Sequence, residues 1–388
     1  MLRVITVFSL LAAMQLNANA QFQYPDSQNP EILRQVDRHG ACRKVIILPQ
    51  VNGYNVFKAD LHTHTIFSDG QVTPALRVQE AWVDGLDVIA ATDHIEYRPQ
   101  EAKFYKLMQR YTDKEYVSPN DGLKAGDTMV DLNFAVKEYK KQAPKYGIVV
   151  IPGSEITRSG SKVGHFNALF TTDNNKIYHD DPVQAIRNAK NQGALVMHNH
   201  PGWRKTSIDY TEAEKQAYDE GLIDGVEVIN GDEFYPGIID RVHERGLFIS
   251  ANTDIHYSTA NEYRTPGHMR PMTLILAEDS SLESLREALV SRRTIAWGYD
   301  NLCGEEQLLR DLFMASIQVT PLNKGSFQIS NMTSVQYIIQ REGENPVRLE
   351  PFSAIRMGSD KETGLIRFTV VNAWTGRDSR LEIEINTK

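Results

Sequence analysis

The chemistry of this chain opens on two histidines, two residues apart, in Asp60-Leu61-His62-Thr63-His64, followed closely by Ser68-Asp69-Gly70. Side chains on a strand alternate with period two, so His62 and His64 project from one face. Two imidazoles at the end of a strand can share a divalent ion, and Asp69, on the turn that Ser68 and Gly70 introduce, can reach a neighbouring one. A single His-x-His is equally at home as two hydrogen-bonded surface histidines; recurrence is what changes its meaning. One apolar run stops on Asp93-His94, and another, Ile148–Ile151, leads to Glu155. A third opens with His165. Ala194–Met197 leads into His198-Asn199-His200-Pro201, and Leu247–Ala251 into Asp254-Ile255-His256. Seven of the eleven histidines fall at these points. Left unpaired around one mouth, so many carboxylates and imidazoles would repel one another or be desolvated at a cost. Divalent cations offset that cost, and a nitrogen and oxygen donor set without thiolates suits Zn²⁺, Mn²⁺ or Fe²⁺.

Elements must bring these positions together. Short apolar runs at Asp87–Ala91, Ile148–Ile151, His165–Phe170, Ala194–Met197, Gly225–Ile229, Leu247–Ala251 and Thr273–Leu276 read as buried strands. Between them, Thr73–Asp84, Asp181–Gln192, Ile239–Arg245 and Leu282–Arg292 read as amphipathic helices. Strand and helix alternating over residues 57–302 predicts an α/β barrel of parallel strands, whose C-terminal ends share one opening. From residue 303 to 388 the pattern turns to short alternating segments, Phe313–Thr320, Ser326–Asn331, Gln336–Arg341, Ala354–Met357, Leu365–Asn372 and Arg380–Ile385, with no convincing helix. This predicts a small C-terminal antiparallel β-sandwich domain. The long insert Tyr97–Gly147 is a lid or a decoration. Residues 21–56 form an arm with one strand candidate, Val45–Leu48.

Composition narrows the classes further. The chain has 388 residues, 41% hydrophobic and 24% charged, with a net charge of −8. A basic coat for nucleic acid is disfavoured. Two cysteines exclude both a disulfide scaffold and a thiolate zinc site; in an oxidising compartment Cys42 and Cys303 could pair or stay apart. Met1–Ala20 has a basic start, an apolar run and a small-x-small end in Ala18-Asn19-Ala20, the form of a secretory signal peptide. The expected location is periplasmic or extracellular, with no membrane anchor.

The succession DLHTHTIFSDG, TDH, GSE, GHFNAL, HNHP and TDIH resembles the PHP family, named for polymerase and histidinol phosphatase, over roughly Phe57–Tyr299. The resemblance implies a distorted, TIM-like barrel of seven strands with two or three divalent metals (Zn, Mn or Fe) at its mouth. It implies that His62, His64, Glu155 and Asp254 hold one metal, that Glu155 bridges to a second completed by His165 and His200, and that Asp69, His94 and His256 hold a third. The implied reaction is hydrolysis of a phosphate monoester or diester by a metal-bridging hydroxide, with Glu155 and Asp254 at the reacting centre. His198, where the family more often has an apolar residue, shares a face with His200 by period two and is a further catalytic candidate. Asp93 either orients an imidazole or caps a turn. Arg158, Arg204, Arg264 and His268, with Arg270, follow the ligand motifs and are candidates for a small phosphorylated substrate; Trp203 and Tyr257 could line its pocket. Competing readings are an amidohydrolase, which often uses a strand-end Lys that is missing here, and a non-catalytic secreted protein that binds metal or glycan.

Overall fold

A computed structural model describes residues 42–100, 131–158, 162–263, 269–323, 325–360 and 363–386. The expected signal segment 1–20, the arm as far as residue 41, residues 101–130 of the insert, and the candidates Arg264 and His268 lie outside the described residues.

The predicted α/β alternation forms. Strands β1 (Asn55–Asp60), β2 (Val88–Ala91), β3 (Val149–Thr157), β4 (His165–Leu169), β5 (Leu195–Asn199) and β6 (Gly225–Asn230) lie side by side in that order. Beyond β6 stand the short β7 (Glu233–Phe234) on one side and β8 (Phe248–Asn252) on the other. β9 (Met272–Ala277) and β10 (Thr294–Gly298) continue from the free edge of β1. The helices between them have legible ends. α1 (Pro74–Val83) starts at Thr73, whose side chain accepts from the Leu76 amide, with Pro at the first helical position. Asp181 and Pro182 open α3 (Pro182–Asn191) in the same way, after α2 (Phe134–Gln142). α4 (Glu212–Asp219) has a full capping box between Thr211 and Glu214. α5 (Gly237–Arg245) ends on Gly246 in the left-handed region, and the short α6 (Thr259–Glu262) and α7 (Leu282–Val290) follow.

Two expectations about this region need correcting. The strands are not all parallel: β4 runs antiparallel to both β3 and β5, and β9 to both β1 and β10. Nor does a backbone ladder close the sheet into a barrel. β8 meets the β9 and β10 edge through threonines, with Thr273 Oγ1 donating to the Ala251 carbonyl and the Ile249 amide donating to Thr294 Oγ1. The β1 and β8 ends are joined by an isolated bridge between Thr63 and Ile255 and by hydrogen bonds from Thr253 to Asp60 and from the Leu61 amide to Asn252. The curled sheet still has an apolar inside, with Ala59, Leu61, Val88, Ala90, Ile151, Met197, Phe248 and Ile275 all buried in one cluster.

After β11 (Asn301–Cys303) comes a helix that the sequence reading omitted, α8 (Glu306–Ser316). Its buried positions Leu309, Leu312, Phe313 and Ser316 follow helical spacing, and Glu305 caps it. Two antiparallel sheets follow. β12 (Ile317–Pro321), β13 (Ser326–Asn331) and β16 (Ala354–Gly358) form one; β15 (Val347–Leu349), β14 (Tyr337–Gln340), β17 (Leu365–Trp374) and β18 (Arg380–Asn386) form the other. β17 also pairs in parallel with β11, so this second sheet continues the barrel-like one. Phe327, Ile329, Tyr337, Ile339, Ile366 and Phe368 share one core between the two sheets. Cys303 is a buried free thiol. The candidate strand Val45–Leu48 forms no ladder; Ile47 is instead tied to Ser334 by hydrogen bonds to its own backbone.

Candidate metal centre

The nine residues marked as ligands converge. His64, Asp69, His94 and His256 form one group able to hold a metal ion; His62, His64 and Glu155 a second; His62, His200 and Asp254 a third; and Glu155, His165 and His200 a fourth. The antiparallel run of β4 explains how His165 joins them: it opens its strand, whereas Glu155 lies near the end of β3 and the other ligands follow the strands before them. The grouping also refines the implied partition, since His64 belongs with Asp69, His94 and His256 as well as with His62, and Asp254 stands with His62 and His200.

Glu155 is central. It is fully buried, and its two oxygens face different ways. Oε1 lies 3.0 Å from His165 Nδ1 and 3.8 Å from His200 Nε2. Oε2 lies 3.5 Å from His62 Nε2, 3.4 Å from His64 Nε2 and 2.6 Å from His94 Nδ1. Asp254, held at a φ of 53°, places Oδ1 at 3.1 Å from His62 and 2.9 Å from His64. Asp69 Oδ1 is 3.3 Å from His94 Nε2 and 3.1 Å from His256 Nε2. The turn that delivers Asp69 folds back so tightly that a Cβ on Gly70 would lie 2.7 Å from the Thr65 backbone nitrogen. That close approach requires glycine.

Acceptors around the rim fix the rings. A carbonyl can only accept, so His165 Nε2–H donates to the Arg158 carbonyl at 2.6 Å and His256 Nδ1–H to the Asp254 carbonyl at 2.6 Å. The opposite nitrogen of each ring then faces the centre with its lone pair. Glu227 does the same for His62, 2.9 Å from its Nδ1, while also accepting from the His200 amide and from the side chains of Asn230 and Asn252. Asn252, in β8, and Asn230, in β6, thus pin a carboxylate that pins a ligand. Asp93 takes the turn-capping role: it accepts from the Thr65 amide and from the hydroxyls of Thr65 and Ser68, whose oxygen lies 3.3 Å from His64 Nδ1.

The charges are strongly coupled. Burial lowers the pKa of His62, yet Asp254, Glu227 and Glu155 outweigh it and carry it well above 6.5. His94 is likewise pushed down by burial and up further by Glu155 and Asp69, to about 10. His64 goes the other way, to about 4, because burial is joined by repulsion from His256 and His94. Burial pushes Glu155, Asp254 and Asp69 up, but the surrounding imidazoles win and hold all three below the usual carboxylate range.

This donor set fits divalent cations. His62 Nε2 and His64 Nε2 lie 3.1 Å apart and can share at most one proton. Glu155 Oε2 and Asp69 Oδ1 are buried without a hydrogen bond. Lone pairs left facing one another in a buried site are costly unless a positive ion satisfies them.

The remaining candidates sit elsewhere or are already engaged. His198 is not on the face of His200, which corrects the expectation from period two. The alternation ends with β5 at Asn199, whose side chain donates to Glu155 Oε1, and His200 then turns at a φ of 25°. His198 points outward to Tyr218 and Glu214, at 3.0 and 3.1 Å, and stacks on Phe166. The Arg158 guanidinium is ion-paired with Glu96 and donates to the His179 carbonyl. Arg270 is buried and paired with Asp60 and Asp84, so it braces β1 and does not meet a ligand from solvent. Arg204 is exposed at the rim, its guanidinium 4.2 Å above the Trp203 ring, and that ring lies 5.1 Å from His165 and 5.3 Å from His200. Tyr257 is 48% exposed. Glu227 was missed by the sequence reading; the signal for it is a lone carboxylate inside the otherwise apolar Gly225–Asn230 strand.

The PHP domain family matches residues 60–264 of the chain. A two-domain protein from Bacteroides vulgatus, described as containing a predicted PHP-like metal-dependent phosphoesterase, is 32% identical over 89% of this chain and 99% of its own, with a TM-score of 0.77. An amidohydrolase from Chromobacterium violaceum, solved with bound sulfate and no metal, is 15% identical at a TM-score of 0.36, covering 51% of this chain and 87% of its own. A lesion-specific endonuclease from Pyrococcus furiosus is 17% identical at 0.39, covering 70% and 63%. No curated protein matches.

Proposed function

We propose, for a chain that belongs to the PHP family, that it is an exported metal-dependent phosphoesterase acting on a small phosphate monoester or diester. The observation that carries this reading is the two-sided placement of Glu155, one oxygen toward His165 and His200 and the other toward His62, His64 and His94. A carboxylate so placed can bridge two cations, while Asp254 faces His62 and His64 from the other side. His64, Asp69, His94 and His256 would hold a further ion. Bound divalent ions would supply Lewis acidity toward phosphoryl oxygens and acidify water near neutral pH.

The chain's own residues do the rest. Glu227 and the carbonyls of Arg158 and Asp254 hold ring protons on the outer nitrogens, so the inner ones stay free to ligate. Arg204, fixed over Trp203, offers a planar set of donors beside His165 and His200, where an anionic substrate would enter. The residue that would bridge two ions, Glu155, is a carboxylate, which sets the site apart from barrels that use a modified lysine there. Export rests on the Met1–Ala20 pattern, and no helix of the described residues is long and apolar enough to cross a membrane.

The deciding experiment loads the protein lacking residues 1–20 with Zn²⁺, Mn²⁺ or Fe²⁺ and screens it against phosphate monoesters, diesters and sugar phosphates, with lactones and amides as controls. Metal-dependent release from at least one phosphoester class is the expected result. Turnover of lactones or amides alone, or none with any phosphoester, would reject the reading.

A further inference from the structure

The described residues of the C-terminal β region form no metal-ligating cluster, yet the region touches the barrel-like sheet at one informative place. The strand β6 turns at Gly231 into β7, and this hairpin stands beside the metal centre. Its first arm carries Asn230, which donates to Glu227 and so belongs to the frame around His62 and His200. Its second arm carries Tyr235, whose ring fills the space in front of Gly202: a Cβ there would lie 2.5 Å from a ring carbon. Gly202 precedes Trp203, the ring that lies against His165 and His200. The hairpin therefore backs one wall of the site.

The 374–380 turn between β17 and β18 grips that hairpin and the helix after it at three points. The Trp374 ring meets the Phe234 ring edge-on, with centroids 5.0 Å apart and planes at 85°. The Arg377 amide donates to Asp240 Oδ1 at 3.0 Å, and His243 Nε2 donates to the Thr375 carbonyl at 3.0 Å. Trp374 is itself held on two sides: its indole N–H donates to Asn301 Oδ1 at 2.8 Å, and Arg380 lies over its ring. The strand β7 is only two residues long and opens on the exposed Glu233, and Phe234 and Tyr235 are only partly buried against the neighbouring core. Short elements with few buried contacts open locally at low cost, so an external brace at Phe234 sets the position of Tyr235 and, through it, of Gly202 and Trp203.

We propose that Trp374 is a positioning residue for the metal centre. It acts through Phe234 and Tyr235 on the Gly202–Trp203 wall, and it links the C-terminal β region to the firmness with which the site holds a phosphate group. The last clause rests on the phosphoesterase reading; the mechanical part does not.

The test uses the metal-loaded protein and four variants. Trp374→Ala removes the brace, Trp374→Phe restores a ring edge, Phe234→Leu removes the contact from the barrel side, and Phe352→Ala alters an exposed ring (58% exposed) elsewhere in the β region. Amide exchange is read at Gly231, Tyr235, Trp203 and Lys205, with β2 as a remote reference, alongside bound metal and the affinity for inorganic phosphate. Trp374→Ala and Phe234→Leu should speed exchange at the four amides by roughly tenfold, the scale set by loss of one aromatic pair, while β2 and metal content stay unchanged. Phosphate affinity should fall severalfold, Trp374→Phe should recover most of it, and Phe352→Ala should behave as wild type. Unchanged exchange at Tyr235 and Trp203 in both disrupting variants, or an equal rise at β2, would overturn the brace. A wild type that binds no phosphate while the exchange pattern holds would strike the phosphoesterase reading and leave the brace standing.

Discussion

The mouth of the barrel-like sheet and the C-terminal β region both bury polar side chains, and they do so in opposite ways. In the β region the buried groups are neutral amides and hydroxyls, and their partners are backbone or one another, as in the Tyr337–Ser316 pair. Asn331 donates to the carbonyls of Val335 and Glu350 and accepts from the Thr333 amide. Asn372 donates to Asp300 and Gln336 carbonyls and accepts from Ile338. At the mouth the buried groups are ionisable, they face one another, and two carboxylate oxygens lack any hydrogen bond. Non-glycine residues there, His200 and Asp254, also sit in the left-handed region. Satisfied neutral groups specify a fold; unsatisfied charged groups held in strained backbone mark a site built for something else to bind.

The sharpest way to break this contrast is to remove Glu155. Glu155→Ala deletes the carboxylate that faces His165 and His200 with one oxygen and His62, His64 and His94 with the other, and turnover of the best phosphoester should fall by at least about 10³-fold with loss of bound metal. Undiminished turnover in a metal-replete variant would sink the bridging role.

The matching cut in the β region should show the reverse. Phe313 is fully buried and packs edge-on against Tyr337 and Phe368, at 4.9 and 5.7 Å. Phe313→Ala should cost about 3–5 kcal/mol of stability, measured by denaturant unfolding. The loss should be the same with and without metal, since distant sites add independently. A loss that changed with metal would tie the two regions more closely than a shared core requires.

These two regions were also legible to different degrees. Most of the ligands could be read because they are ionisable residues at or just past the end of an apolar run, a place where neither propensity nor packing calls for them; His165 opens its run and Asp69 lies on the turn after His64. Glu227 escaped because it sits inside a strand, at Gly225–Asn230, where a single carboxylate looks like a register irregularity. His198 misled because period two holds only while the strand lasts, and β5 stops at Asn199. Arg158 and Arg270 looked available because their partners, Glu96, Asp60 and Asp84, are far off in the sequence. Helix α8 was legible in principle, since Leu309, Leu312, Phe313 and Ser316 repeat at helical spacing, but the strand pattern that follows it overshadowed the signal. That β8 meets β9 through threonine side chains and not a ladder is a tertiary fact with no local signature.

Glu227 offers the next sharper test, because it is fully buried yet faces the ligands from outside. Glu227→Gln keeps the shape and removes the charge, so His62 loses its carboxylate partner and the His200 amide a charged acceptor. Metal affinity should fall by roughly 10–100-fold, the usual scale for a partner behind a ligand, as read by competition with a chelator. Full activity should return at saturating metal, whereas Glu155→Ala should not recover at any concentration. If both variants respond alike to added metal, Glu227 is itself a ligand.

The smallest effect should come from Arg204, the residue that joins the charged mouth to the exposed surface. Its guanidinium rests on Trp203 and the side chain is exposed, so no buried partner is stranded by its removal. Arg204→Ala should therefore leave stability and bound metal unchanged. KM for an anionic ester should rise by roughly fivefold with kcat nearly constant, the value of one exposed charged contact held by a ring. Raising ionic strength should shrink the difference between wild type and variant, because an exposed charge is screened. Arg204→Lys should restore only part of the loss, since an ammonium neither stacks as a plane nor offers two parallel donors. Equal KM values in wild type and variant at low salt would show that the substrate does not meet Arg204.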